Sequence, residues 1–130
     1  MCVVEWRGRA LAEFPELRSV IEHEAWSCHV FFIELLDLVR DAHRRGDVDL
    51  LRRAYGFAQW CLEQPGGFLS NAAVVSFYEH AFDEWELRDE VARWLPAQVA
   101  QRARPLWEWR LPADRLAEVD RLLSSGDHPG

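Results

Sequence analysis

Lysine is absent from this 130-residue chain: all fifteen basic residues are arginine, set against 22 aspartates and glutamates, for a formal net charge of -7. Nothing in surface physics demands that choice, and it points to a GC-rich, bacterial coding background. The chain also has no basic excess. Nucleic acid and anionic membranes are both held through a cationic footprint, so neither is an expected partner. Cysteine is scarce. Cys2, Cys28 and Cys61 are odd in number and form no CxxC pair, which excludes a disulfide framework and a thiolate zinc site and suits a reducing, cytoplasmic setting. The longest apolar runs, such as Val30 to Ile33, are far too short to span a bilayer, and residues 1–9 contain Glu5 and no signal-type hydrophobic region. No GxGxxG, Walker loop or GxSxG occurs, and the diglycine Gly66-Gly67 lacks the preceding strand that a phosphate-binding turn needs. The expectation is therefore a protein that is not an enzyme and carries no cofactor.

What is present is helical periodicity. Hydrophobic residues make up 49% and charged residues 28%, the balance of a folded domain, so residues 1–124 read as one helical domain and residues 125–130 as a flexible tail. Pro15 opens a short helix carrying Leu17, Val20 and Ile21, ending near Glu24. From Ser27 to Arg45 the apolar residues leave only a narrow polar strip at Glu34, Asp37, Asp41 and Arg44, which predicts a central helix. Gly46 can close it in the left-handed conformation and Asp47 can cap the next helix, about Val48 to Gln64, which Pro65-Gly66-Gly67 ends. Ser70 reads as the cap of a fourth helix, with a possible break near Asp83 and an end or kink before Pro96; a last helix spans about Pro112 to Ser124. No strand pattern of useful length appears. The fold expected is all-α, a single compact domain of five to seven helices, antiparallel and bundle-like, with the helix at about 27–45 in its middle.

The richest cluster is acidic. Glu79, Asp83, Glu86 and Glu90 are spaced by four, three and four, so a backbone that stays helical across Asp83 would align them in one stripe, widened by Glu84 and Asp89. Such a ridge suits a basic protein partner, although a solvated helix face partly balanced by Arg88 and Arg93 has the same pattern. Seven tryptophans are present. Trp26, Trp60 and Trp94 lie on or beside apolar stripes and read as packing residues; Trp85, Trp107 and Trp109 are the candidates for exposure, with Trp85 a possible anchor inside the acidic segment. His23, His29 and His80 would be the ligands of any metal site, but their spacing matches no ligand motif, and no metal is expected. Cys28 and His29 are adjacent on a helix and face about 100° apart, which is not a nucleophile–base geometry.

Phe14-Pro15-Glu16-Leu17 with Glu22-His23, His29 with the apolar run Val30 to Leu38, Gly46-Asp47, and Asn71 to Phe77 with Tyr78-Glu79 occur in an order that resembles a family of small, all-helical, largely bacterial proteins catalogued as a domain of unknown function. The resemblance covers about Leu11 to Pro96. Members of such families look similar in size, acidity and helical make-up to immunity proteins encoded beside polymorphic toxins, which implies a protective, partner-neutralising role. The leading expectation is a cytoplasmic module that docks a basic protein through Glu79, Asp83, Glu84, Trp85, Glu86, Asp89 and Glu90. The alternatives are a self-associating protein whose exposed tryptophans form a homodimer face and, more remotely, a metal protein or enzyme using His23, His29 and His80.

Overall fold

A computed structural model describes residues 5–23 and 28–124, and among these every regular element is a helix. There are eight α-helices: α1 (Glu5–Glu13), α2 (Arg18–His23), α3 (Cys28–Arg45), α4 (Val48–Leu62), α5 (Phe68–Ser76), α6 (Arg88–Arg93), α7 (Ala97–Arg110) and α8 (Ala113–Ser124). Tight 3-10 turns at Pro15–Leu17, Tyr78–His80 and Trp85–Leu87 join several of them. The all-α single domain is as expected, with one helix beyond the expected range; α1 and α7 are the additions. Trp26, Cys2, the first residue of the helix expected from Ser27, and the tail 125–130 lie outside the described residues.

The core grows outward from α3. Phe31, Phe32, Leu35, Val39 and Ala42 recur at helical spacing and are buried. Phe31 is the hub: its ring centroid lies 5.7 Å from Trp6, 5.7 Å from Phe14 and 5.3 Å from Phe57, tilted or edge-on as aromatic quadrupoles prefer. The helix is central without being wrapped, since Ile33 remains 54% exposed. At its end Gly46 takes φ 74° and the Asp47 carboxylate accepts from the Leu50 N–H at 3.1 Å, so the stop and the start read from sequence are those observed. Beneath this layer Cys28 and Cys61 face each other, both fully buried; the Cys61 thiol is held well above its ordinary value by its hydrogen bond to Cys28 and by burial.

The second half departs from the expected helices. Ser70 is not a cap: α5 starts two residues earlier behind Gly67, whose φ of 85° makes the turn, and Ser70 is buried in the first turn. The helix then stops at Ser76 where a run to Phe82 was expected. The break at Phe77 (φ -125°, ψ -66°) lets that ring face Phe32 and Tyr55 at 5.6 and 5.8 Å, while Phe82 meets Trp107 edge-on at 5.0 Å. Five positions apart, the two rings would point about 140° from each other on a continuous helix. α7 packs through Val99, Ala103 and Trp107, spaced by four, and the Trp107 indole N–H donates to the Tyr78 carbonyl at 2.9 Å. α8 lies against α6 and α7, with Val119 buried and Arg104 bidentate to Asp120 at 2.8 and 3.0 Å.

Candidate functional site

The backbone is not helical across Asp83, so Glu79, Asp83, Glu86 and Glu90 do not form one helical stripe. Residues 78–80 and 85–87 are 3-10 turns, residues 81–84 form turns and bends, and only Glu90 and Asp89 sit on α6. The break falls at Phe77, and Phe77 and Phe82 on either side of the turn pack on different neighbours in the core.

The segment that results is a clamp. Arg40 and Arg44, one turn apart on α3, and Arg110 at the end of α7 all reach into it. Asp83 accepts from Arg110 at 2.7 and 3.3 Å, lies 3.0 Å from His80 Nδ1 and 3.8 Å from Arg40, and so ties together three elements. Arg110 also approaches Glu79 at 3.5 Å. Arg44 holds Glu84 closely and Glu86 at 3.7 Å; Glu86 titrates below the usual carboxylate range, chiefly through a backbone hydrogen bond and then through Arg44. Three arginines thus meet four carboxylates, Glu79, Asp83, Glu84 and Glu86, and with Asp89 and Glu90 the segment keeps a negative excess whose most exposed side chains include Glu86 and Glu90.

Trp85 is half-buried, with the Arg88 and Arg115 guanidinium groups over its ring at 4.7 and 4.8 Å from the centroid. Its ring is already covered by the chain's own cations, which argues against the anchoring role expected of it. Trp107 is buried, contrary to its candidacy for exposure, because its N–H is needed at Tyr78. Trp109 is 89% exposed and precedes Arg110, so the one fully solvated indole described stands beside the acidic clamp on a helix end that the clamp immobilises. Trp60 and Trp94 are partly buried against the core, as packing residues should be.

The histidines do not converge. His23 is exposed and hydrogen-bonds the Ser19 carbonyl at 2.7 Å, His29 lies 2.5 Å from the Ser76 hydroxyl, and His80 belongs to Asp83. Among the described residues no group of three His, Cys, Asp or Glu side chains is placed to hold a metal ion, and no helix is long and apolar enough to cross a membrane.

His43, which carried no sequence motif, is the buried polar centre. Its Nδ1 lies 3.2 Å from Glu90 and its Nε2 2.8 Å from the Tyr55 hydroxyl. An ionised carboxylate has no proton to give, so Nδ1–H donates to Glu90 and the Tyr55 O–H donates to Nε2. Burial lowers the His43 pKa and Glu90 opposes that shift; burial, with Glu90 close by, raises that of Tyr55. A tyrosine so held is a poor nucleophile, and the trio's geometry is that of a satisfied core network. Tyr55 in turn stacks on Trp94 at 5.4 Å and 11°, which carries the network to the surface between α4 and α6.

Residues 8–110 match the model of a family described as a domain of unknown function (DUF7674). The match extends beyond Pro96 to take in α7 with Trp107 and Trp109, and leaves residues 1–7 and residues 111–130, with α8, outside it. No curated protein and no solved structure matches the chain.

Proposed function

The chain belongs to the DUF7674 family, and we propose that it acts as a non-catalytic protein-binding module, in which the acidic segment 79–90 steers a basic protein partner and Trp109 anchors it. The observation that carries this reading is the 89% exposure of Trp109 on a helix end fixed by Arg110 to Asp83 and Glu79. A large flat apolar side chain left in water on a fixed helix end spares the backbone an ordering cost on docking, which suits a binding hot spot. In the same segment Glu86, Asp89 and Glu90 supply a field of one sign, and a net charge of -7 extends that field into solution. Trp85 and Asp83, both expected among the docking residues, take the role of supports in this reading. Neutralisation of a basic toxin, the role of an immunity protein, is the form of binding that best suits a small acidic chain of this kind, and the cytoplasm is its expected site of action.

Affinity capture from the native host at natural expression tests the proposal with three baits: the natural chain, Trp109→Ala, and the combined Glu86→Gln, Asp89→Asn, Glu90→Gln variant. A basic protein retained in stoichiometric amount by the first and lost from the other two is the expected result. Equal recovery by all three sinks the assignment of this face. Self-association through Trp109 is the competing reading, favoured by the same exposed indole; a dimer that light scattering finds in the natural chain and not in Trp109→Ala would replace the partner by a second copy.

A further inference from the structure

On the surface between α4 and α6 an open groove runs along both sides of Trp94. Its two halves, each about 430 Å³, share Arg52, Arg93 and Trp94 as lining. Along α4 it extends from Val48 to Gln59, about 16 Å at the helical rise of 1.5 Å per residue, the length of roughly five residues of extended chain. Its floor is apolar where Trp94 lies flat on Tyr55, and Val48 at one end is half exposed.

Two features of α4 have no explanation within the chain. Gly56 sits in the interior of the helix, where glycine weakens it relative to alanine, and a Cβ added there would meet nothing within 4 Å. No packing neighbour requires a glycine; its effect is to leave the groove floor bare. Arg52 is the second. Its neighbour Arg53 is tied to Asp49, Glu16 and the Glu13 carbonyl, whereas Arg52 is exposed in the groove and pairs with no carboxylate among the described residues. In a chain of net charge -7, whose arginines mostly face its own acids, the Arg52 guanidinium at the centre of an apolar groove is a local cationic point. Glu90 at the Val48 end belongs to His43 and confines the cationic character to the middle.

We propose that this groove binds an acidic peptide segment of a partner protein, a carboxylate pairing with Arg52 and an apolar side chain lying over Gly56 against Trp94. The length of the groove favours a peptide over a small anion, and the bare glycine admits peptide backbone close to the helix. This face selects the opposite charge and Glu90 borders both, so Arg52→Glu and Gly56→Leu probe the groove and Trp109→Ala probes the other face.

The test uses the full chain labelled with nitrogen-15 and eight-residue peptides that each carry four glutamates and one Phe, Trp or Leu. Arginine-for-glutamate versions, benzoate and inorganic phosphate serve as controls. Acidic peptides should shift the Gly56 amide and Trp94 indole signals, with binding weakened at least tenfold by Arg52→Glu or by 0.5 M salt. Gly56→Leu should fill the floor and abolish binding while leaving the melting temperature equal or higher, which separates a lost site from a lost fold. The assignment is overturned if no acidic peptide moves these signals, if Gly56→Leu binds as the natural chain does, or if benzoate or the arginine peptides bind equally well. A groove-dependent dimer of the chain alone, dissolved by Gly56→Leu, would likewise replace the partner with a second copy.

Discussion

Around Phe31 four aromatic rings, Trp6, Phe14, Phe32 and Phe57, close in at 5.3 to 5.7 Å, whereas around Asp83 two arginines and a histidine from different parts of the chain converge on one carboxylate. The first centre joins α1, α3 and α4; the second joins α3, the turns of residues 78–87, and α7. An aromatic cluster draws on the hydrophobic effect, which does not depend on partner charge and survives salt. A partly solvated charge cluster fixes position more than it adds stability. The molecule is thus stabilised from one centre and oriented from the other, and the orienting centre is the one that carries the exposed Trp109.

Removing the aromatic hub should separate the two centres most sharply. Phe31→Ala should cost about 3–5 kcal/mol and leave little folded protein at 37 °C; urea unfolding at neutral pH measures it, and a loss under about 1 kcal/mol would mean that the rings are not the source of stability. Tyr55→Phe comes next. It removes the proton that His43 Nε2 accepts, stranding a buried acceptor, and should cost about 1–3 kcal/mol although every ring contact is kept. Asp83→Asn should cost about 1 kcal/mol or less, and 1 M salt should shrink even that difference, leaving the Phe31→Ala deficit untouched. An Asp83→Asn loss equal to that of Phe31→Ala would erase the distinction between the centres.

The smallest effect is one of pH. The folded state holds His43 below its ordinary value of 6.5, so the unfolded chain takes up its proton first as pH falls. Stability contributed by neutral His43 is complete above about pH 6.5 and declines as pH drops from there toward the lowered folded value. His43→Gln should flatten that slope. A slope that is unchanged in the variant would assign the acid response to the carboxylates instead.

How far the fold could be read ahead follows the same division. The α3 stripe, the Gly46-Asp47 junction and the helix from Val48 were legible because each depends on residues within one or two turns of one another. α7 was not, because Pro105 interrupts the pattern and hides the Val99, Ala103 and Trp107 spacing that buries it. The acidic residues were visible as a cluster, but their alignment rested on a helix that in fact ends at Ser76, with Phe77 and Phe82 packed on different neighbours. Arg40, Arg44 and Arg110, which decide how much of that charge is left for a partner, stand up to 43 positions from Asp83 in the chain and show only in three dimensions. His43 gave no signal at all, since a single histidine in an apolar stripe looks the same whether it packs or organises a network.

Cys28 and Cys61, both buried and hydrogen-bonded to each other, give the molecule a built-in clock. A thiol reagent reaches either atom only when the surrounding helices part, so with Cys2 replaced by serine the rate of modification counts spontaneous openings of the core one molecule at a time. Bound at Trp109 or in the Arg52 groove, a partner that slows that clock also reports how far its grip is felt inside.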